Sequence, residues 1–410
     1  WNKWGFKSYS QAKQDIVTLA LSYNRNNGYF VEIGANDGKT FSNTLMLENM
    51  GWRGLLIEAD PSLCKKYKRA EQTTWYCGCL SNKDSVMFSS QGTLGHISET
   101  GKRVPCKNPS IFTEDIDFFS LDVEGAELDI LNLMKPYLVN SSITVNMWSI
   151  EYRIWDNKIF YEETMKKLQK IREFFDDVGG YTEYGALSNK PMNGLRDGLD
   201  IVFLKNIIIP KNTKSVQINI GSNTDPIHGK NGAHTIIYEP IVPQEAADFA
   251  MKNDIKYGGT SKVYPFAVSN YTGTSIMYKY NDKGMSSSFS NPANKNYWNS
   301  NSQRGDGEQI QVKVISFETI LKSISQPISY LKTDMQGYDF AALSSAGELL
   351  YKLEKIQTEV YTGGSTYKNV QNDMCADWLP FMKRWGWKAS NFNGDCNTKR
   401  ELDIIWEKNN

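Results

Sequence analysis

The sequence lacks a net charge, because 46 Lys and Arg residues are balanced by 46 Asp and Glu residues. No overall field therefore steers the protein to nucleic acid or to an acidic membrane surface. It also lacks an apolar run near the roughly 20 residues that a membrane helix needs, and its first fifteen residues do not resemble a signal peptide. We expect no membrane span, a targeting segment outside this chain, and a ligand recognised by local contacts.

Histidine and cysteine are scarce, with three and six residues. Cys77 and Cys79 are too close together for a zinc site, and no second pair or nearby histidine completes one, so no metal site is assigned. Even numbers of cysteines in the two halves permit disulfides within each half. Sequons at Asn140 and Asn270 agree with a glycoprotein of the secretory lumen or the extracellular space. Free buried thiols and chance sequons are the alternative.

One stretch, residues 29–61, has the order of a nucleotide-binding βαβ unit. A β-prone run over 30–33 leads into a tight turn, apolar residues at helical spacing follow over 40–50, and a second strand over 54–57 ends in Glu58. A glycine turn alone is common in loops, but strand, turn, helix, strand and acid in this order are more specific. The turn residues are Gly34, Asn36, Asp37 and Gly38.

Glu58 lies 24 residues after Gly34, close to the roughly 20-residue offset at which a Rossmann-like unit places a carboxylate on ribose hydroxyls. The turn is GANDG rather than G-x-G-x-x-G, so the third glycine of a pyrophosphate site is missing. This favours a nucleoside without a diphosphate, such as S-adenosylmethionine.

A second landmark, IDFFSLDVEGAELDIL over residues 116–131, predicts a strand that stops at Asp122 and turns into a helix. Charge at a helix start explains Glu127 through the helix dipole, but explains Asp122 less well, since that residue precedes the turn. A strand over 143–150 then ends in Glu151, and a final strand over 198–204 closes the unit. After Glu58, the sequence predicts a basic helix over 61–70. Ser81, after a strand over 75–80, and His96, in a β-excursion over 85–98, complete the set of polar candidates.

The same pattern begins again after a linker over 206–215, with matches at near-constant offsets of 187 to 212 residues. Ordered matches at constant spacing indicate a duplicated domain, and we place the domains at 1–208 and 209–410. The second helix-start motif, ISYLKTDMQGYDFAAL, corresponds to the first. The repeated site positions are Gly221, Asn223, Asp225, Glu239, Asp334, Glu359 and Asp403.

The sequence resembles the FkbM-type methyltransferases, a class I family that depends on S-adenosylmethionine. The resemblance is carried by YSQAKQD, VEIGANDGKTFSNTLMLENMGWRGLLIEADP, CLSN, FFSLDVEGAELDIL and GLDIVFL, and a second, diverged copy spans roughly 215–407. It implies an α/β fold of two tandem Rossmann-like domains, each a mostly parallel seven-stranded sheet with helices on both faces. It also implies O-methylation, often of sugars.

The resemblance also assigns roles to residues. It places the turn Gly34, Asn36, Asp37, Gly38 and the acid Glu58 on the cofactor, with Asn43 and Ser81 nearby. It places Asp122 and Glu124 beside the transferred methyl, where a carboxylate can accept the proton of an attacking hydroxyl. Asp122 is our first choice for the base, and Glu151 and His96 are reserves. A divalent ion held by the acids is less favoured, because acids at helix starts are common.

The second copy departs at the site, since Asp225 replaces Gly38 and Gln336 replaces Glu124. These changes weaken the expectation of cofactor binding by Gly221, Asn223, Asp225, Glu239 and Asp334, although an active second site stays open. The leading hypothesis is an O-methyltransferase of glycans or other sugar-bearing acceptors. The alternative is a non-catalytic structural or carbohydrate-binding protein of an extracellular or lumenal assembly, which keeps the fold without the reaction.

Overall fold

The computed structural model describes residues 7–22, 27–64, 67–90, 95–154, 160–192, 195, 198–210, 212–280, 287–289, 308–363 and 370–409. The polar loop over 286–304, which the sequence marks as rich in serine and asparagine, lies almost wholly outside these residues. The chain forms two compact units, Trp1–Asn206 and Ile207–Asn410, and each is described by itself.

The first unit is built on a seven-stranded sheet flanked by helices. Its strands are β1 Tyr29–Ile33, β2 Arg53–Glu58, β3 Thr73–Cys77, β4 Cys79–Leu80, β5 Ser85–Ser89, β6 His96–Ile97, β7 Lys102–Lys107, β8 Phe118–Leu121, β9 Met147–Glu151, β10 Tyr181–Leu187 and β11 Asp200–Lys205. Its helices are α1 Gln14–Leu21, α2 Leu45–Asn49, α3 Pro61–Cys64, α4 Glu127–Val139 and α5 Phe160–Val178.

The large sheet has the strand order β3-β2-β1-β8-β9-β11-β10. Neighbours from β3 to β9 pair in parallel, whereas β11 is antiparallel to both of its neighbours. A separate four-stranded sheet, β4-β7-β5-β6, forms the excursion after β3. The predicted α/β fold with a mostly parallel seven-stranded sheet is confirmed.

The second unit repeats this order as β14-β13-β12-β18-β19-β21-β20, again with one strand, β21, antiparallel to both neighbours. Its strands are β12 Ser215–Ile220, β13 Ala233–Tyr238, β14 Thr260–Tyr264, β15 Phe266–Ser269, β16 Gly273–Lys279, β17 Glu308–Ser316, β18 Ile328–Thr333, β19 Lys355–Thr362, β20 Trp387–Ala389 and β21 Arg400–Lys408. Its helices are α6 Pro243–Tyr257, α7 Phe317–Ser323, α8 Asp339–Ala346 and α9 Leu379–Arg384. The predicted duplication is therefore visible in the topology.

Burial of both sheet faces explains why the central strands are almost continuously apolar. Every residue of β8 is buried, and on one face Phe119 stacks on Trp148 at 4.4 Å between ring centroids. Phe175 of α5 completes this aromatic cluster, since it packs against Trp148 and against Phe203 of β11. Residues of β1, β2, β8 and β9 belong to the same buried core, which fixes these four strands relative to one another.

Three predicted elements differ from the structure. The helix predicted over 40–50 begins only at Leu45, because the preceding residues form a polar loop around Glu32. The helix predicted over 61–70 is described only as far as Cys64, and residues 67–70 have no regular structure. The strand predicted over 75–80 breaks at Gly78, so that β3 and β4 belong to different sheets.

All six cysteines are paired within their own units. The disulfides are Cys64–Cys77, Cys79–Cys106 and Cys375–Cys396. This confirms the expectation of disulfides within each half. In the part of the chain that the structure describes, no helix has both the length and the apolarity needed to cross a membrane.

Candidate functional site

The turn after β1 brings backbone close to the end of β8. Gly34 has a φ of +82°, and a Cβ at this position would lie 1.6 Å from the carbonyl oxygen of Asp122. No other residue type fits here. The Gly34 N–H donates to the carbonyl of Ile57, and the Asp122 N–H donates to the carbonyl of Ile33, so the turn is locked between neighbouring strands.

Glu58, at the end of β2, closes this turn from the other side. Its two carboxylate oxygens accept hydrogen bonds from the Asn36 N–H at 2.8 Å and from the Asp60 N–H at 2.7 Å. Burial raises the pKa of Glu58, while these two backbone donors act in the opposite direction. Each oxygen keeps a further lone pair, and the side chain lines a cavity, so Glu58 can accept hydrogen bonds from a ligand.

This cavity, of about 1090 Å³, lies at the carboxyl ends of β1, β2, β8 and β9. Ligands bind at this edge in open α/β sheets. The excursion and residues of the chain start complete its wall. The predicted site residues that line it are Gly34, Asn36, Asn43, Glu58, Ser81, His96, Asp122, Glu124 and Glu151.

The structure does not bring Asp37 and Gly38 to this cavity. The Asp37 carboxylate accepts hydrogen bonds from the N–H groups of Lys39 and Thr40 at 2.9 and 2.7 Å, so it shapes the turn. These donors lower the pKa of Asp37 against the effect of its partial burial. The Gly38 carbonyl accepts from the buried guanidinium of Arg69 at 2.9 Å. Both residues therefore stabilise the turn and do not line the cavity.

Asn43 is held at the cavity wall by a buried network. Its N–H donates to Glu32 at 2.7 Å, and its side-chain Nδ2 donates to Ser120 at 2.8 Å. Asn43 Oδ1 is buried and has no hydrogen-bond partner among the residues that the structure describes. A buried acceptor of this kind is costly unless it is paired, so it fits a ligand that donates an N–H or O–H.

Asp122 and Glu151 form a hydrogen-bonded carboxyl pair at the ends of the adjacent parallel strands β8 and β9. Burial raises the pKa of both groups. Asp122 raises the pKa of Glu151 further, whereas the hydrogen bond from Glu151 lowers that of Asp122, which other nearby acids raise. Two carboxyls this close share a proton, because both cannot ionise without strong repulsion. Glu124, half-buried at a φ of +52°, lies beside the pair, and burial also raises its pKa.

Glu127 takes a different role from these acids. One of its oxygens accepts from the N–H groups of Val123 and Gly125, and the other forms an ion pair with Lys167 at 2.7 Å. Carboxylate oxygens of Glu127, Asp122 and Glu151 lie within 4.8 Å of one another, a grouping that could hold a metal ion. Because Glu127 is already committed to the helix start and to a lysine, we assign the group to hydrogen bonding and charge.

The excursion supplies the opposite wall. His96 is exposed in β6, and Ser81, which follows β4, accepts from the Lys83 N–H at 3.1 Å. Sequence reasoning missed other residues of the wall, among them Phe41 and Gln11. The sequence places Phe41 in the predicted helix over 40–50, and nothing in the sequence shows that this helix begins only at Leu45.

The second unit reproduces the backbone of this site. A Cβ on Gly221 would lie 1.9 Å from the carbonyl oxygen of Asp334, and Glu239 accepts from the N–H groups of Asn223 and Ile241 at 2.7 and 2.8 Å. The glycine turns and the strand-end glutamates of the two units thus have the same local geometry. Asp225, which replaces Gly38, is exposed.

The acid end of the second unit is different. The side-chain amide of Gln336 donates to Asp334 at 2.7 Å and to Glu359 at 3.1 Å, so it bridges the two acids that correspond to Asp122 and Glu151. The first unit has a carboxylate, Glu124, at this position. The second acid pair therefore accepts hydrogen bonds from a neutral donor, which the first pair lacks at this position.

A family model for the methyltransferase FkbM domain matches residues 32–184 and 217–388, which together span more than three quarters of the chain. The chain belongs to the methyltransferase FkbM domain family. Both matches fall within the two units described above, so this FkbM protein carries two tandem copies of the domain. No curated protein matches it.

Several solved structures are similar to the FkbM protein at low identity. They include a TehB-like SAM-dependent methyltransferase from Corynebacterium glutamicum, with 15% identity over 47% of this chain and 87% of that chain and a TM-score of 0.29. A putative caffeoyl-CoA O-methyltransferase from Staphylococcus aureus has 12% identity over 50% and 88%, with a TM-score of 0.30. Aeropyrum pernix fibrillarin in complex with S-adenosyl-L-methionine has 12% identity over 46% and 74%, with a TM-score of 0.26.

Proposed function

We propose that the first unit is an S-adenosylmethionine-dependent O-methyltransferase that acts on a hydroxyl of a glycan or another sugar-containing acceptor. The observation that carries the proposal is the pairing of the Gly34 turn with the Glu58 carboxylate at the wall of one cavity. Family membership supplies the reaction class.

The residues of the cavity fit this cofactor. Glu58 offers free lone pairs to a ribose diol, and the buried Asn43 Oδ1 offers an acceptor to a ligand donor. A side chain at Gly34 would collide with the Asp122 carbonyl, so glycine is what allows the turn and the end of β8 to meet at the cavity. The volume of about 1090 Å³ exceeds that of a typical small-molecule pocket, which leaves room for a nucleoside and part of an acceptor.

Bound S-adenosylmethionine supplies a methyl group on a positively charged sulfur, and the protein must deliver a nucleophile to it. A sugar hydroxyl is a weak nucleophile, so removal of its proton assists the attack. The carboxyl pair of Asp122 and Glu151 provides an acceptor for that proton at the cavity wall. Positioning of the two reactants by the surrounding wall is the larger contribution.

The charge of the cavity supports a neutral acceptor. Acids outnumber basic side chains on its wall, and a phosphate or carboxylate acceptor would be repelled by them. The acidic wall residues are Glu32, Glu58, Asp122, Glu124, Asp129 and Glu151, and the lysine is Lys83. Three disulfides support a protein of an oxidising compartment, such as the secretory lumen or the extracellular space.

The second unit is proposed as a non-catalytic partner, because the Gln336 amide bridges its acid pair. Retention of Glu239 and Asn223 in the same geometry is compatible with nucleoside binding there. Catalysis is therefore assigned to the first unit alone.

The test is binding of S-adenosylhomocysteine to the full chain, measured by calorimetry and by the shift in Tm. We expect Glu58→Gln to weaken binding by at least about tenfold, because one acceptor oxygen is replaced by a donor. The matched control is Glu239→Gln in the second unit, which should leave the main binding event unchanged. Absence of binding to the parent protein at saturating ligand would refute the proposal.

A further inference from the structure

Phe41 has a backbone conformation that costs energy. Its φ is +58°, in the left-handed region that a bulky side chain rarely adopts. Its side chain is 58% exposed, yet it lines the cavity. Strained backbone is retained where it serves a site, and an exposed apolar ring at a ligand cavity is typical of a binding surface.

A buried carboxylate holds the backbone of Phe41 in place through a second segment. Phe41 forms an isolated parallel β-bridge with Ser10. The fully buried Asp15 accepts hydrogen bonds from the Ser10 hydroxyl at 2.6 Å, the Ser8 hydroxyl at 2.8 Å and the Tyr9 N–H at 2.8 Å. The strained residue is thus fixed by a rigid neighbour, so its ring is oriented before any ligand arrives.

The same segment connects Phe41 with the acid end of the sheet. Gln11 lines the cavity, and the side chain of Gln14 is hydrogen-bonded to Asp200. Asp200 lies opposite Glu151 in the register of β11 and β9. Residues 10–14 span at most roughly 14 Å, so Phe41 and the acid pair lie along one wall within reach of a single extended ligand.

We propose that Phe41 and Gln11 form the acceptor subsite, in which the ring of Phe41 packs against the apolar C–H face of a sugar and Gln11 hydrogen-bonds its hydroxyls. This inference rests on the proposed function, since it names the residues that hold the acceptor of that reaction. A sugar ring presents one apolar face and a rim of hydroxyls, which matches an aromatic platform flanked by neutral amides and carboxylates. The subsite uses residues of the cavity wall other than the Gly34 turn and Glu58.

The experiment uses the full chain loaded with S-adenosylhomocysteine and a panel of methyl glycosides of galactose, mannose, fucose and rhamnose. Saturation-transfer NMR measures glycoside binding, and methyl transfer from labelled S-adenosylmethionine gives KM. The variants are Phe41→Gly and Phe41→Tyr. The control is Tyr161→Ala, which removes an aromatic side chain of similar exposure from α5, outside the cavity wall.

Phe41→Gly should raise KM for the best glycoside by about tenfold, because the aromatic packing contact is lost. It should leave the Kd for S-adenosylhomocysteine unchanged. It should also raise Tm by about 2–4 °C, since glycine adopts this backbone without strain. Phe41→Tyr and Tyr161→Ala should keep the KM of the parent. A merely structural Phe41 would not give a more stable protein with weaker acceptor binding.

Three results with the glycoside panel would overturn the proposed subsite. They are an unchanged KM in Phe41→Gly, a loss that appears only in S-adenosylhomocysteine binding, and absence of saturation transfer to every glycoside from the loaded parent protein. Binding of choline in place of the glycosides would also overturn it, because an aromatic face among carboxylates can take a quaternary ammonium. Failure of the proposed function would instead appear as absent binding of S-adenosylhomocysteine itself.

Discussion

The side-chain amide of Gln336 donates a hydrogen bond to Glu359 at 3.1 Å and so links the turn before α8 to β19. The equivalent position of the first unit is Glu124, a carboxylate that cannot donate when ionised. The acid pair of the second unit is therefore bridged by the Gln336 amide, whereas the pair of the first unit has Glu124 at that position and lines a cavity. This difference predicts which unit performs the reaction.

Glu124→Gln should transfer the arrangement of the second unit to the first. We expect the new amide to donate to both Asp122 and Glu151, to occupy the oxygens that would accept a proton and to lower kcat by about 10²-fold, the size of a general-base contribution. Binding of S-adenosylhomocysteine should stay within about twofold of the parent, because the Gly34 turn and Glu58 are untouched. Single-turnover methylation and calorimetry check the two expectations. Glu162→Gln, an exposed acid on α5, is the control, and equal losses in both variants would contradict the assignment.

The acid pair should also make stability fall as the pH rises. An acid whose pKa is raised on folding holds its proton more tightly in the native state, so its contribution to stability is complete below about pH 4 and is lost as the pH rises through the native pKa. Burial raises the pKa of Glu151 in this way. Glu151→Gln should therefore raise Tm relative to the parent at pH 8 and have a smaller effect at pH 4.

Thermal unfolding at both pH values checks this difference. Glu359 gives the second unit a similar slope, because burial raises its pKa as well, so the comparison is between the variant and the parent. The same increase in Tm at pH 4 and pH 8 would show that ionisation is not the cause.

The Cys64–Cys77 disulfide should support cofactor binding as well as stability. It closes a loop of sequence separation 13 that begins directly after Leu63, a residue of the cavity wall, and the Cys64 sulfur lies 3.5 Å from the Glu58 carbonyl oxygen. The Gly78 N–H donates to the Glu58 carbonyl at 2.8 Å, directly after Cys77. Replacing both cysteines by serine should cost about 3 kcal/mol and raise the Kd for S-adenosylhomocysteine by about tenfold.

The matched control is the double serine variant of Cys375 and Cys396, a disulfide of sequence separation 21 in the second unit. It should lose a similar amount of stability without a change in the Kd. Equal changes of Kd in the two variants would mean that general destabilisation, and not the loop beside Glu58, weakens binding.

Arg69 should be a major stabilising residue of the glycine turn. Its guanidinium is fully buried, pairs with Glu48 at 2.9 Å and donates to the Gly38 carbonyl. Arg69→Leu leaves a buried carboxylate unpaired and should cost about 3–5 kcal/mol in urea unfolding. Arg53→Leu, which breaks the exposed pair with Glu114, should cost less than about 1 kcal/mol. Comparable losses would contradict this account of the turn.

The sequence predicted the strands that carry the site because their apolar runs end in turns and acids, as β1, β2 and β8 show. It also predicted the duplication, which the two strand orders confirm. It could not predict that the chain before Leu45 is a loop, because Phe41 has helical spacing and the network around Glu32 forms only in three dimensions. Gln11 escaped for the same reason, because the cavity that it lines is assembled from segments distant in sequence. Asp37 and Gly38 were placed on the ligand by position in a motif, whereas their hydrogen bonds point into the turn.

Gly221 fits tightly against the carbonyl of Asp334 in the second unit, although the Gln336 amide bridges the acid pair of that unit. Natural selection for correct folding alone would preserve that glycine long after turnover had ceased. A sequence signature built on the glycine turn will consequently match inactive copies as readily as active enzymes. The residue two places after the aspartate that follows β8 or β18, which is Glu124 or Gln336, is the better criterion for telling them apart.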